Sequence, residues 1–291
     1  MKTYGALEAG GTKMVLAALD ETGRFLARKS LPTRTPEETM PEMIAFFREQ
    51  DVSALGIGSF GPLQLNPAAP DYGAITATPK LAWRNYPLLR RFEEALGVPV
   101  GIDTDVNAAA MAEAALGAAR GLDNCLYVTV GTGVGGGLVI AGKPVHGLIH
   151  PEIGHIPVRP EPGDPMPVGV CPSHGSCLEG MASGPSIGRR WGCPAQELPP
   201  DHPAWALEAA YLAQLCATAL LAFSPEKIIL GGGVMQQTAL FPLIRAKTAA
   251  LLNGYLVHPA IQSGMEDLIV PPALSPDSGI LGSWLIAKES A

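Results

Sequence analysis

Four residues with metal-binding side chains lie close together in a segment that shows little periodicity. His155 precedes the run Cys171-x-x-His174-x-x-Cys177. Thiolate and imidazole groups at this spacing are typical of tetrahedral zinc, which can hold a segment in place without a large core. Four protein ligands leave no open coordination position, so we expect a structural metal. The alternative is a set of buried thiols beside a surface histidine.

Two glycine-rich segments follow apolar strands and could bind phosphate. Residues 8–13 read Glu-Ala-Gly-Gly-Thr-Lys, where the glycines admit a phosphate and Thr12 and Lys13 add a hydroxyl and a positive charge. Residues 131–137 hold five glycines, more than a plain hairpin needs. No helix follows the G-x-G-x-x-G string and no G-K-[ST] closes it, so neither the dinucleotide fingerprint nor the Walker loop fits. We predict two phosphate-facing hairpins, although an ordinary hairpin explains the first segment equally well.

A third glycine run, residues 231–233, follows a predicted strand and precedes a helix. Glycines there allow a flat ligand to approach the backbone closely. Tight packing between the strand and the helix is the alternative, and the run alone does not decide between the two.

Two acids, Asp103 and Asp105, stand where a strand ends and a helix begins. Acids at that place can simply cap the helix and meet its dipole. The functional interpretation is that one carboxylate accepts the proton of a hydroxyl group during phosphoryl transfer. We choose Asp105 as this base, although spacing does not separate it from Asp103.

The elements that must position these residues alternate along the chain, which predicts the α/β class. Strands are expected at residues 3–8, 14–20, 24–31, 54–59, 98–102, 125–130, 138–141 and 227–230. Helices are expected at residues 36–50, 86–96, 104–119, 178–190, 203–223, 238–252 and 278–288. Both halves open with strand, glycine turn and strand, which indicates an internal duplication.

Composition narrows the function further. The 291 residues include 47% hydrophobic and 16% charged residues, as in globular proteins, and the net charge of -7 disfavours nucleic acid as a partner. Nothing predicts a signal peptide, and the apolar stretch at residues 211–223 is too short to cross a membrane. Five cysteines disfavour a disulfide framework in a chain that we expect to be cytoplasmic.

Together these motifs resemble the ROK family of sugar kinases and repressors over nearly the whole chain. The matching segments are EAGGTK (8–13), SFGP (59–62), DTDVNAAA (103–110), VTVGTGVGGG (128–137), HPEIGHIPV (150–158), CPSHGSCLEG (171–180), LGGGV (230–234) and DSGILGS (277–283). Glu8 replaces the usual Asp, and His174 stands within the zinc segment; both departures are similar to the fructokinase branch. The sequence begins at the first predicted strand, without the helix-turn-helix of family repressors, so we do not expect DNA binding.

The resemblance implies an actin-like, ribonuclease-H-like two-domain sugar kinase fold that closes over a cleft. The expected domains are residues 1–110 with 277–291, and residues 111–276 with the zinc loop. The resemblance assigns ATP to Gly10, Gly11, Thr12, Lys13, Gly131, Thr132, Gly133, Gly231, Gly232 and Gly233, and Mg²⁺ to the vicinity of Glu8. It makes Asp105 the base and Asn107 a helper. It assigns sugar binding to Gly61, Pro62, Asp105, Glu152, His155 and Glu179, and structural zinc to His155, Cys171, His174 and Cys177.

The implied reaction is transfer of a phosphoryl group from ATP to a hexose, with fructose preferred. Glucose, mannose or an N-acetylhexosamine is the alternative acceptor. A zinc-containing sugar sensor without turnover is the alternative of a different class. The family also implies a homodimer.

Overall fold

Strands and helices are interspersed along residues 2–291, the part of the chain that the computed structural model describes. The strands are β1 (Tyr4–Ala9), β2 (Lys13–Leu19), β3 (Phe25–Pro32), β4 (Ala54–Ser59), β5 (Val100–Thr104), β6 (Cys125–Val130), β7 (Val134–Ile140), β8 (Lys143–Pro144), β9 (Lys227–Gly231) and β10 (Ile269–Val270). The helices are α1 (Pro36–Glu49), α2 (Leu88–Leu96), α3 (Asp105–Ala115), α4 (Leu178–Ala182), α5 (Gly184–Trp191), α6 (Ala204–Ala222), α7 (Leu240–Leu252), α8 (Pro259–Gln262) and α9 (Ser278–Ser290). The α/β prediction is confirmed.

The first compact unit comprises residues 2–116, 143–151 and 274–291. Its sheet has the order β3-β2-β1-β4-β5, with β1 antiparallel to β2 and parallel to β4. Helix α9 lies directly on this sheet, because the Ser283 hydroxyl donates to Leu7 O at 2.9 Å and accepts from Gly58 N at 3.0 Å. One face of the sheet is thereby closed by the last helix of the chain.

The limits of this unit differ from those expected from the sequence. Helix α3 continues to Ala115 instead of changing unit at residue 111, and residues 143–151 belong to the first unit. Two hydrogen-bonded contacts hold that segment: His146 Nε2 lies 2.9 Å from Asp103 Oδ2, and Leu63 N donates to His150 Nε2 at 3.0 Å. Contacts of this kind between distant segments leave no periodic signal in the sequence.

The second compact unit comprises residues 117–142 and 152–273. In its sheet β6 is antiparallel to β7 and parallel to β9, which in turn pairs with β10. The order β7-β6-β9-β10 therefore repeats the order β2-β1-β4-β5 of the first unit. This repetition supports the internal duplication that the two glycine hairpins indicated.

The glycine-rich turn of the second unit is shorter than predicted. Gly131 N donates to Gly133 O at 2.8 Å, and β7 begins at Val134, so the remaining glycines lie within a strand. A side chain at Gly136 would collide with Ile153, which packs on this strand. Gly136 therefore serves close packing within the unit.

Helix α6 is longer than the apolar stretch read from the sequence. It has 19 residues, and by length and mean hydropathy (1.3 over 18 residues) it could cross a membrane. However, 72% of that window is buried inside the protein, so α6 is a core helix of the second unit. The helix predicted at 178–190 is divided into α4 and α5 because Ser183 is extended and its hydroxyl caps α5.

Candidate active site and metal centre

The first glycine loop is a tight turn between β1 and β2. Gly10 N donates to Lys13 O at 3.0 Å, and Thr33 Oγ1 donates to Gly10 O at 2.7 Å. A methyl group on Gly10 would lie 2.8 Å from Lys13 O, so the turn requires glycine. The side chains of Thr12 and Lys13 are exposed, which leaves a hydroxyl and an ammonium group available to an anion.

Asp103 is buried and committed to local structure. Its Oδ1 accepts hydrogen bonds from Thr104 N at 2.7 Å and from Asn107 Nδ2 at 2.8 Å, while its Oδ2 contacts His146. This hydrogen bond raises the pKa of His146, because the carboxylate stabilises the imidazolium form. Asp103 and Asn107 thus fix the strand-to-helix junction from which Asp105 projects.

Asp105 is the first residue of α3, with the Thr104 hydroxyl capping the helix through Asn107 N. Its Oδ1 accepts from Val106 N at 2.9 Å. Burial raises the pKa of Asp105 to about 6, against the opposing effect of that backbone hydrogen bond. A carboxylate with a pKa just below neutrality is ionised at pH 7 and still accepts a proton readily. This geometry favours Asp105 over Asp103 as the base, a choice that spacing left open.

Glu8 is a second perturbed carboxyl group in the first unit. Burial raises its pKa to about 7, and the negative charge of Asp105 acts in the same direction. A methyl group on Gly279 would lie 2.7 Å from Glu8 Cδ, so the carboxyl group packs against the start of α9. A cation beside Glu8 would relieve the cost of ionising it there.

The predicted sugar-binding residues Gly61 and Pro62 lie in a segment held at several points. Thr76 Oγ1 donates to Pro62 O at 3.0 Å, and a methyl group on Gly61 would lie 3.4 Å from the His150 ring. His150 is buried, and this burial lowers its pKa, which favours the neutral ring that accepts from Leu63 N. The roles of His146 and His150 could not be predicted from the sequence, because neither histidine stands at a spacing that is typical of metal-binding residues.

In the second unit, Glu179 lies against the other glycine loop. Its Oε2 accepts from Val134 N at 3.0 Å, and a methyl group on Gly133 would lie 2.7 Å from the same oxygen. Gly184 N donates to Gly131 O at 2.8 Å, which attaches the loop to the start of α5. Thus Glu179, predicted to bind sugar, also supports the backbone of the predicted phosphate loop.

The four predicted zinc ligands come together within the second unit. One ligand atom from each of the following residues lies within 4.8 Å of the others: His155, Cys171, His174 and Cys177. His155 Nδ1 is 3.5 Å from Cys177 Sγ and 3.8 Å from Cys171 Sγ, and His174 Nδ1 is 3.7 Å from Cys171 Sγ. Tetrahedral zinc with Zn–S of about 2.3 Å and Zn–N of about 2.0 Å separates N and S ligands by about 3.5 Å. The donor set therefore fits a closed zinc site.

A short turn connects this cluster to Glu152. His155 N donates to Glu152 O at 2.9 Å, at the end of a single helical turn formed by residues 153–155. Because Nδ1 of His155 faces the thiols, its Nε2 remains for another partner. The other cysteines, Cys125, Cys193 and Cys216, are not part of the cluster.

A cavity of about 190 Å³ borders the third glycine run. Its lining residues are Ala195, Gln196, Leu198, Trp205, Gly233, Val234, Gln236 and Gln237. A cleft lined by both apolar side chains and the amide groups of three glutamines suits a flat heterocycle that carries both hydrogen-bond donors and acceptors. Gly231 and Gly232 adjoin it at the end of β9.

Comparison with known proteins agrees with the motifs. The sequence model described as "ROK family" matches residues 4–290. A fructokinase of Pediococcus pentosaceus is 45% identical over 98% of this chain and 98% of its own, and a fructokinase of Zymomonas mobilis is 44% identical over 98% and 96%. The crystal structure of a ROK family glucokinase from Streptomyces griseus, in complex with glucose and AMPPNP, has a TM-score of 0.79, 26% identity and 99% coverage of both chains. These matches confirm the predicted resemblance and the actin-like fold.

Proposed function

The chain belongs to the ROK family, and from this premise we propose that it is an ATP-dependent fructokinase, which converts D-fructose to fructose 6-phosphate. Identity of 44–45% to two fructokinases, over nearly full length in each case, supports fructose as the acceptor. The glucokinase structure that shares the fold is only 26% identical, and glucose is accordingly the weaker candidate.

The observation that carries the chemistry is the carboxylate of Asp105. In the reaction, the C6 hydroxyl oxygen of fructose forms a bond to the γ-phosphorus of ATP, and the bond from that phosphorus to the β,γ-bridging oxygen breaks. The hydroxyl proton passes to Asp105, and ADP leaves. A pKa of about 6 lets Asp105 hold this proton in the transition state and release it to water near neutral pH.

The nucleotide would be held by backbone amides of the glycine loops. In this proposal residues 10–13 and 131–133 bind the phosphates, with the exposed Lys13 ammonium adding charge. Mg²⁺ would supply charge neutralisation on the phosphates, and Glu8 is the carboxylate that would approach it. The cavity beside residues 231–234 would take the adenine ring, with the amides of Gln196, Gln236 and Gln237 within its lining.

The sugar would be bound by the turn that the zinc cluster stabilises. Glu152 and His155 lie within one helical turn, and zinc on Nδ1 would leave His155 Nε2 to donate a hydrogen bond to a sugar hydroxyl. Glu179, Gly61 and Pro62 complete the proposed sugar set. With four protein ligands the zinc has no open position, so its role is to hold the turn.

The test is an ADP-release assay with MgATP and a panel of fructose, glucose, mannose and N-acetylhexosamines, applied to the wild type and to Asp105→Asn. Fructose should give the highest kcat/KM, and the variant should retain its fold and lose at least about 10³-fold in kcat. Higher turnover with another sugar would reassign the acceptor. Sugar binding without ADP release would replace the kinase by a sensor.

Two further expectations accompany this proposal. A cytoplasmic location agrees with the burial of the long apolar helix α6 inside the second unit. The homodimer implied by the family stays a prediction, which sedimentation velocity at micromolar concentration would test.

A further inference from the structure

Lys80 lies against the first glycine loop, although no motif singled it out. A methyl group built on Gly11 would be 3.3 Å from Lys80 Cε, so the end of the lysine side chain passes directly over this loop. The absence of a side chain at Gly11 leaves room for it. The loop of residues 10–13 therefore has two positively charged side chains at hand, its own Lys13 and the neighbouring Lys80.

The segment that carries Lys80 is firmly held. Trp83 N donates to Lys80 O at 2.8 Å, and the indole of Trp83 is 1% exposed and donates to Arg34 O at 2.7 Å. Lys80 N also donates to Thr78 Oγ1 at 3.3 Å. The backbone of Lys80 is thus fixed, and only the flexible stem of its side chain is free to follow a ligand.

The same segment is tied to the proposed sugar-binding residues of this unit. Thr76 N donates to Pro62 O at 2.8 Å, and Ile75 pairs with Leu63 in a short antiparallel bridge. Lys80 therefore extends toward residues 10–13 from a segment anchored at residues 62–63. A phosphoryl group in transfer moves from a phosphate-binding region to a sugar-binding region. In this unit the proposed regions of these two kinds are residues 10–13 and residues 62–63.

The ammonium group of Lys80 has no carboxylate partner among the described residues. Within residues 2–291, Lys80 takes part in no ion pair. By contrast, Arg28 of the same unit lies 2.7 Å from Asp277 Oδ1. A half-buried ammonium group without a carboxylate partner is available to an anionic ligand.

We propose that Lys80 is a further catalytic residue, whose ammonium group contacts the γ-phosphoryl group of the nucleotide while it is transferred. This inference rests on the proposed kinase function and extends it. Lys80 donates hydrogen bonds to non-bridging oxygens of the group in flight and is neither protonated nor deprotonated in the step. Its contact is stronger in the transition state than in the ground state, because charge spreads over those oxygens as the bond to ADP breaks.

The test compares Lys80→Met, Lys80→Arg and the matched control Lys247→Met, which removes a half-buried lysine from α7. For each protein, kcat and both KM values are measured, with the Kd for ADP and for a non-hydrolysable ATP analogue by calorimetry. We expect Lys80→Met to lower kcat about 10²- to 10³-fold and to leave ADP affinity within about twofold. The ATP analogue should bind more weakly, and Lys80→Arg should recover at least about tenfold of the lost rate.

Several results would overturn the inference. One is a kcat for Lys80→Met within about threefold of wild type. Another is a decrease in binding affinity that is equal for ADP and for the ATP analogue. The third is a change in the KM for sugar with no change in kcat. If Lys247→Met lowered kcat as much as Lys80→Met, the decrease would come from the loss of any positive charge and not from a contact of Lys80 with the nucleotide. If the wild type turned over no sugar, the proposed function would fail, and the contact with the γ-phosphate would then be decided by the difference between analogue and ADP binding.

Discussion

Removal of one zinc ligand should destabilise the second unit by a predictable amount. Cys177→Ser is the informative change, because the serine hydroxyl can still cap α4 where Cys177 Sγ now accepts from Gly180 N at 3.4 Å. The substitution therefore removes the thiolate ligand and keeps the cap. Zinc bound at this cluster would join His155 to Cys177, 22 residues apart, as a cross-link does.

The magnitude follows from the length of the closed loop. A cross-link that spans a loop of this length lowers the entropy of the unfolded chain by an amount worth about 3 kcal/mol near 25 °C. For a unit of about 150 residues, each kcal/mol changes Tm by about 2–4 °C. We therefore expect Cys177→Ser to lower Tm by about 6–12 °C. Cys193→Ser is the matched control, since Cys193 lies outside the cluster.

The assay combines metal analysis with thermal unfolding in the presence and absence of a chelator. Wild type and Cys193→Ser should each contain about one zinc per chain and lose a similar number of degrees when the chelator is added. Cys177→Ser should contain little zinc and show no further decrease. A wild type that contains no zinc and whose Tm responds neither to added zinc nor to chelator would refute the reasoning.

Three other predictions follow from single residues. With saturating MgATP and fructose, kcat should fall about tenfold per pH unit below pH 6, where Asp105 becomes protonated, and an acid limb near pH 4 would contradict the effect of burial. Gly154→Ala should destabilise the second unit by about 1–3 kcal/mol, because its methyl group would collide with Val134 O; an unchanged Tm would argue against the packing. Burial raises the pKa of Glu208 well above its usual value, and its two carboxyl oxygens have no hydrogen-bond partner among residues 2–291. The unfolded chain ionises above about pH 4.5 while the folded one stays neutral, so stability is lost as pH rises, and the Tm advantage of Glu208→Gln should be absent near pH 4 and grow toward pH 8. A pH-independent difference would contradict this linkage.

Features that depend on residues close together in the chain could be predicted from the sequence. The bounds of β4 and β6 match the prediction, because each is a short, mostly apolar run that a polar residue precedes and that a glycine follows within two residues. The proximity of the four His and Cys side chains was also predictable, since Cys171, His174 and Cys177 lie within seven residues and the fold brings His155 beside them. In each case the informative residues are close together in the chain.

Contacts between distant segments could not be predicted in the same way. Residues 143–151 join the first unit through His146 and His150, whose partners Asp103 and Leu63 lie 43 and 87 residues away in the chain. The contact between Lys80 and Gly11 likewise joins two residues that are far apart in the chain. Side-chain periodicity reports which face of an element is buried and does not report which remote segment covers it.

Val134 contacts both the second glycine loop and the turn that carries His155. Its amide nitrogen is held by Glu179, and its carbonyl oxygen abuts Gly154, one residue before His155. This one residue therefore connects the turn that ends at His155 with the second glycine loop. If zinc binds His155 as proposed, its loss would relax this support from one side, and a shortage of zinc would then weaken the proposed binding of ATP as well as of the sugar.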